Sequence, residues 1–122
     1  MTKIAIIEDD STINNMYRMK FEADGFEVEV ADNGKSGVAM VQSFAPDLIL
    51  LDLQMPEMTG DEALAKIRSQ PWGARIPVII LTNTGIEESP KSLKDLNIHS
   101  YIVKAELTPS QVVAKAKQAL GL

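Results

Sequence analysis

Cysteine is absent from this chain, histidine occurs once, and aromatic residues make up only 5% of it. Without cysteine there are no disulfides and no thiolate metal centres, a composition that fits a reducing cytoplasm, the expected location. Long hydrophobic runs are also missing. No stretch approaches the roughly 18 continuous apolar residues of a membrane span, and the apolar run after Met1-Thr2-Lys3 is too short for a secretory signal. No membrane partner is expected. An excess of positive charge is missing too: 12 Lys and Arg stand against 17 Asp and Glu, a net of −5. That balance argues against broad attraction to DNA or anionic lipid, so direct nucleic-acid binding is not expected. Repeats, low-complexity tracts and linkers are likewise absent. The 122 residues, 45% hydrophobic and 24% charged, fit one domain spanning 1–122.

What is present is a set of polar anchors, each directly after a short apolar run. Glu8-Asp9-Asp10 follows the run at 4–7, Asp52 the run at 48–51, Thr82 the run at 78–81, and Lys104 the run at 101–103. Short runs rich in Ile, Leu and Val read as strands buried on both faces of a parallel sheet. Polar residues at the carboxyl ends of such strands face the crevice where open α/β sheets hold ligands.

Strand and helix patterns alternate along the whole chain, which predicts a parallel sheet covered on both faces. The first strand is expected at 3–8. A helix follows at 11–23, with Ile13, Met16, Tyr17 and Phe21 on one face and Gly25 as its stop. Phe26, Val28 and Val30 alternate with Glu27 and Glu29, the pattern of a half-exposed edge strand. Asp32 is the expected cap of a short helix carrying Val38, Val41 and Phe44, which Pro46 breaks. Residues 47–53 form the most apolar strand, the natural centre of the sheet. A helix at 61–69 and a loop at 70–77 follow, with Trp72 expected as a local packing plug. The fourth strand is at 78–81. Ser89-Pro90 opens a fourth helix ending near Asn97, so 83–88 is expected to be a long and mobile loop. The fifth strand is at 101–104, and Thr108-Pro109-Ser110-Gln111 is a capping box opening a last helix to about 120. Right-handed crossovers leave few ways to wind these units, and the order 2-1-3-4-5 brings the Glu8-Asp9-Asp10 run beside Asp52.

Placing those carboxylates together has a penalty: two unit charges ~4 Å apart repel by about 4 kcal/mol at an effective dielectric of ~20. A divalent cation resolves it. Carboxylates with no cysteine or nearby histidine fit Mg2+ or Mn2+ better than zinc. Asp10 or Ser11 can instead serve simply as a helix cap. Asp52, at the mouth of the central strand, reads as a carboxylate nucleophile that accepts a phosphoryl group. Such a group needs charge neutralisation and in-line positioning more than a base. Lys104 can pair with Asp52 before transfer and with a phosphoryl oxygen afterwards, and the Thr82 hydroxyl can donate to another oxygen.

These residues make the chain resemble a response-regulator receiver domain, the phosphoacceptor half of two-component signalling, of the stand-alone single-domain type. The motifs are Ile6-Ile7-Glu8-Asp9-Asp10, Asp47-Leu48-Ile49-Leu50-Leu51-Asp52-Leu53-Gln54-Met55-Pro56, Gly60, Pro77-Val78-Ile79-Ile80-Leu81-Thr82 and Tyr101-Ile102-Val103-Lys104. The resemblance covers essentially the whole chain. It implies an α/β fold, a flavodoxin-like (βα)5 three-layer sandwich with a parallel five-stranded sheet of order 2-1-3-4-5, so that order is not independent of it. It implies phosphorylation at Asp52, with Mg2+ (Mn2+ as an alternative) held by Asp9 directly, Glu8 through a water, Asp52, and the Gln54 backbone carbonyl. Thr82 and Lys104 would bind phosphoryl oxygens, while Thr82 and Tyr101 would act as the switch. The implied partners are a sensor histidine kinase or phosphotransfer protein, an unknown downstream protein, and a second copy on phosphorylation. Output would leave through the face of the fourth and fifth strands and helices. Such a domain is not an enzyme with a separate substrate; it catalyses only its own aspartyl phosphorylation and dephosphorylation.

Several positions depart from the family pattern. Ala105 stands where proline usually follows the lysine, and a cis bond there would cost about 3–4 kcal/mol, so Lys104–Ala105 is expected to be trans. Asn83 replaces a small residue after Thr82 and is expected to narrow the site or add a hydrogen bond. Asn97 replaces a turn glycine, tolerable because asparagine visits the left-handed region. Gln54 and Thr84 are the positions expected to set the phosphoryl lifetime. Two other readings compete. One is an interaction module that keeps the fold but is never phosphorylated. The other is a Mg2+-dependent phosphatase of the haloacid-dehalogenase-like kind, which would carry an aspartate where this chain has Gln54.

Overall fold

A computed structural model describes residues 1–83 and 96–122. The elements in chain order are β1 (Lys3–Ile7), α1 (Ser11–Ala23), β2 (Glu27–Ala31), α2 (Gly34–Phe44), β3 (Leu48–Asp52), α3 (Gly60–Arg68), β4 (Val78–Thr82), β5 (Ser100–Val103) and α4 (Pro109–Leu120). The expected fourth helix, the loop at 83–88 beyond Asn83, and Thr84 lie outside the described residues.

All strands are parallel and their order is β2-β1-β3-β4-β5. Burial follows that order. Every residue of β3 and β4 is buried, as continuous apolar runs covered on both faces require. At the edge, β2 exposes Glu27 and Glu29, as its alternating pattern predicts, but Val30 is exposed as well, against that alternation.

The period of two along each strand splits the core into two layers. Ile4, Ile6, Leu48, Leu50, Ile79 and Leu81 pack under α1 and α4, through Tyr17, Phe21, Val112 and Ala116. Ala5, Ile7, Ile49, Leu51, Val78 and Ile80 pack on the other face under α2 and α3, through Val41, Phe44, Leu64 and Ile67. The result is a three-layer sandwich. Trp72 is half-buried against the second layer, the expected packing role.

Helix ends follow local chemistry. Asp10 caps α1 by accepting the Thr12 and Ile13 backbone N–H groups at 2.9 and 3.1 Å. Gly25, just beyond the helix, has φ 90°. The α2 cap differs from expectation. It is Asn33, not Asp32, that accepts the Ser36 N–H, at 2.8 Å. The helix begins at Gly34, so Asp32 lies one residue too early, and its carboxylate accepts instead from the Asn33 side chain at 2.8 Å. The Thr108–Gln111 capping box forms as predicted, with bonds of 2.8 and 3.3 Å.

Two features set the approach to β5. Asn97 occupies the left-handed region at φ 58°, as its substitution for glycine allows. The Arg68 guanidinium donates to the carbonyls of Leu96, Gly73 and Asn97, tying the end of α3 to that turn. After β5 the Lys104–Ala105 bond is trans, as predicted.

Candidate functional site

Strand register decides which anchors meet. Ile7 pairs with Leu51 across β1 and β3, so the next residues along, Glu8 and Asp52, emerge side by side. Asp52 pairs with Leu81 and Thr82 with Val103, which brings Thr82 and Lys104 to the same rim. The Lys104 backbone N–H donates to the Thr82 carbonyl at 2.8 Å, prolonging the ladder by one step. Glu8, Asp52 and Thr82 are all buried, with 0%, 1% and 1% exposed, whereas Asp9 is exposed at the lip. Burial of that many polar groups is uncommon without a paired role.

Carboxylate oxygens of Glu8, Asp9 and Asp52 lie within 4.8 Å of one another. The Lys104 ammonium sits against two of them, pairing with Glu8 and lying 3.2 Å from Asp52 Oδ1. Pairing with Asp52 was legible in the sequence; the contact with Glu8 was not. Glu8 Oε2 also accepts the Asp10 N–H at 3.2 Å, and Asp52 Oδ1 accepts the Gln54 N–H at 3.2 Å, so both carboxylates are oriented by the loops that follow them.

These groups perturb one another's ionisation. Burial, then the Glu8 carboxylate beside it, pushes the Asp52 carboxyl up to about 8, against the pull of Lys104. Burial would raise Asp9 as well, but hydrogen bonds with Asp52 and Glu8 outweigh it and hold Asp9 below its ordinary value. Desolvation would lower Lys104; Glu8 and Asp52 reverse that and raise it. Three carboxylates against one ammonium leave an acidic excess with an all-oxygen donor set, which fits a hard divalent cation such as Mg2+.

Two features were not anticipated. Gly60 packs directly beneath the site: a Cβ there would lie 2.2 Å from the Asp52 carbonyl oxygen and 2.7 Å from Leu53 Cα. Its own N–H donates to the Leu53 carbonyl at 2.9 Å, so it fixes the backbone that carries Asp52. Asn14 on α1 donates to the carbonyls of Glu8 and Ala31 at 2.9 and 3.2 Å, anchoring the turn after β1 from the other side. At the mouth, Asn83 Nδ2 donates to Gln54 Oε1 at 3.1 Å, the hydrogen bond foreseen as one outcome of placing asparagine there. Tyr101, in register with Ile80, is half-buried against the layer under α2 and α3.

The fold and crevice are those of a doubly wound, flavodoxin-like α/β domain, with an acidic cluster crossed by one lysine at the switch point of its strand order. The model of the response regulator receiver domain matches residues 4–117, and the chain belongs to that family. Receiver domains are signalling modules of two-component systems. The chain is 32% identical over 120 residues to the phosphate regulon transcriptional regulatory protein PhoB of Rhizobium meliloti, covering 98% of this chain and 52% of that one. It thus spans about half the length of this relative. Among solved structures it is similar to the chemotaxis protein CheY4 of Vibrio cholerae, with a TM-score of 0.90, 27% identity and 98% of each chain covered. The receiver domain of a Pseudomonas aeruginosa sensor histidine kinase, which has a magnesium ion coordinated in its active-site cleft, shares the fold with a TM-score of 0.88 at 21% identity, over 99% of this chain and 98% of that one.

Proposed function

We propose that residues 1–122 form one receiver domain in which Asp52 accepts a phosphoryl group from the phosphohistidine of a sensor histidine kinase or phosphotransfer protein. The observation that carries this reading is a buried carboxylate at the end of the central strand, 3.2 Å from the Lys104 ammonium and within 4.8 Å of the Glu8 and Asp9 oxygens. An Asp52 oxygen forms the new bond to phosphorus while the bond from phosphorus to the donor imidazole nitrogen breaks. Lys104 favours the ionised form of Asp52 beforehand and holds a phosphoryl oxygen afterwards, and the Thr82 hydroxyl donates to another. Glu8, Asp9, Asp52 and the Gln54 carbonyl would hold Mg2+, with Mn2+ a substitute. When bound, the ion supplies positive charge against the phosphoryl oxygens.

Phosphorylation adds charge and acceptor oxygens beside Thr82. The move of Thr82 toward them makes room for Tyr101 to turn inward, which shifts the population of the face built on β4, β5 and α4. A downstream protein, or a second copy of the chain, reads that face. We place the reaction in the cytoplasm, the reducing compartment that the cysteine-free composition fits. Among the described residues no helix is long and apolar enough to cross a membrane. Acetyl phosphate with Mg2+ should add one phosphoryl mass to the wild type and none to Asp52→Ala. Equal labelling of the two would overturn the assignment. Mg2+-dependent binding of a beryllofluoride mimic separates this reading from that of an interaction module which keeps the fold without being phosphorylated.

A further inference from the structure

A second polar cleft lies at the sheet edge, outside the acidic cluster. It has a volume of about 460 Å3 and runs between the start of α1 and the start of α2, across the exposed end of β2. Its rim carries Glu29 and Asp32, both exposed, and no lysine or arginine lines it. Among the described residues neither carboxylate has a cationic partner. Val30 and Met40 give it an apolar wall, with 40% of Val30 exposed.

Asn14, which lines this cleft, is only 5% exposed. Its Nδ2 is committed to the Glu8 and Ala31 carbonyls, which fixes which end of the amide faces them. Oδ1 therefore points away from both, and it has no donor. A buried amide oxygen without a partner is unfavourable, so a ligand donor that reaches it is favoured. The two helix starts do not by themselves make the cleft an anion site, because a side chain already caps each of them. Asp10 accepts the backbone N–H groups of Thr12 and Ile13, and Asn33 accepts that of Ser36. The lining hydroxyls of Ser11 and Ser36 and the Asn15 amide can turn to suit a ligand, whereas the charge on the cleft is negative and its buried unpartnered atom is an acceptor.

We infer that this cleft binds a guanidinium group on an aliphatic stem. Val30 and Met40 cover the stem, while Glu29, Asp32 and Asn14 Oδ1 accept from its head. A guanidinium presents a planar fork of five N–H donors, which matches acceptors on three separate elements better than the compact ammonium of lysine. The group comes either from a small guanidino compound or from an arginine of a partner protein. The inference does not depend on phosphorylation of Asp52.

The test is titration of the 15N-labelled full chain in Mg2+-containing buffer, followed by amide chemical shifts. The probes are methylguanidinium, a blocked Gly-Arg-Gly tripeptide and its Gly-Lys-Gly counterpart. Saturable shifts at Ser11, Asn14, Asp32 and Ser36 are expected with both guanidinium probes. The Glu29→Gln/Asp32→Asn double variant, altered only at exposed positions, should bind about tenfold more weakly. Equal binding of the two guanidinium probes would identify a small ligand; tighter binding of the arginine peptide would identify a protein side chain. Shifts centred on Asp9 and Asp52, no saturable shifts, unchanged binding by the double variant, or equal binding of the lysine peptide would each overturn the inference.

Discussion

The Lys104 ammonium lies 3.2 Å from Asp52 Oδ1, with only 9% and 2% of the two side chains exposed, and the same ammonium also pairs with buried Glu8. One cation thus compensates two carboxylates that water barely reaches. Breaking such a buried arrangement by removing one partner costs about 3–5 kcal/mol. Lys104→Met should lose roughly that much stability in metal-free buffer at about pH 9, above the titration of Asp52. The loss should shrink toward about pH 7, because Asp52 then holds a proton and the ammonium no longer offsets its charge. Urea unfolding at the two pH values measures this; an equal loss at both would contradict it.

The raised titration of Asp52 has its own signature. Its folded value of about 8 lies above the ordinary 3.8, so between these the folded chain holds a proton that the unfolded chain has released. Stability in metal-free buffer therefore falls as pH rises through that window. Asp52→Asn removes the contribution. The variant should be more stable than wild type by about 1.4 kcal/mol or more near pH 8, since each pH unit of displaced titration is worth that amount. Near pH 4 the two should converge. A gain independent of pH would point to packing instead.

Divalent binding should release a proton for the same reason. Below about 8 the Asp52 carboxyl holds a proton that the ion must displace. Calorimetric titration with Mg2+ at neutral pH, in buffers of different ionisation enthalpy, should show close to one proton leaving, and the apparent affinity should rise with pH. Asp9→Asn, which removes the exposed ligand, should weaken binding with little change in fold. Mg2+ affinity independent of pH would remove Asp52 from the ligand set.

Gly60 offers a test of the backbone under the site. Alanine there would place a methyl 2.2 Å from the Asp52 carbonyl oxygen, a backbone atom that cannot swing aside. Overpacking of this kind costs about 1–3 kcal/mol. Gly60→Ala should lower the melting temperature and also slow phosphoryl uptake. At Gly25, where a Cβ meets nothing within 4 Å and only the φ of 90° opposes it, Gly25→Ala should lower stability without touching uptake. Equal effects of the two on uptake would mean that Gly60 does not position Asp52.

Much of this arrangement is legible in the sequence. The apolar runs ending in Glu8, Asp52, Thr82 and Lys104 located four strands, because a buried parallel strand has no polar residue to spare until its end. The exposed edge at β2, the caps at Asp10 and Thr108, and the left-handed Asn97 followed from local rules. What stayed hidden depends on distance along the chain. Lys104 pairs with Glu8 across 96 positions of sequence, a contact fixed by how far a flexible side chain leans. Gly60 is a motif position whose packing role shows only once Asp52 is seen against it. The α2 cap was missed by one residue because Asp32 and Asn33 are both good caps and only the extent of β2 decides between them.

The bridge from Asn83 Nδ2 to Gln54 Oε1, 3.1 Å long, spans the mouth above Asp52. It joins the loop after β3 to the end of β4 and restrains a side chain two residues beyond the proposed acceptor. An exposed hydrogen bond of this kind contributes about 0.5–1.5 kcal/mol, so its removal should change a rate by roughly 2–10-fold. Loss of the bridge opens the mouth to water, and Asn83→Ala should shorten the aspartyl-phosphate lifetime by that factor. The effect must run through Gln54 if the bridge is its cause. In a Gln54→Ala background, Asn83→Ala should therefore make no further difference, the mark of two groups acting through one contact. Decay of the phosphorylated mass in the four proteins closes this cycle; additive effects would show that Asn83 acts on the site independently of Gln54.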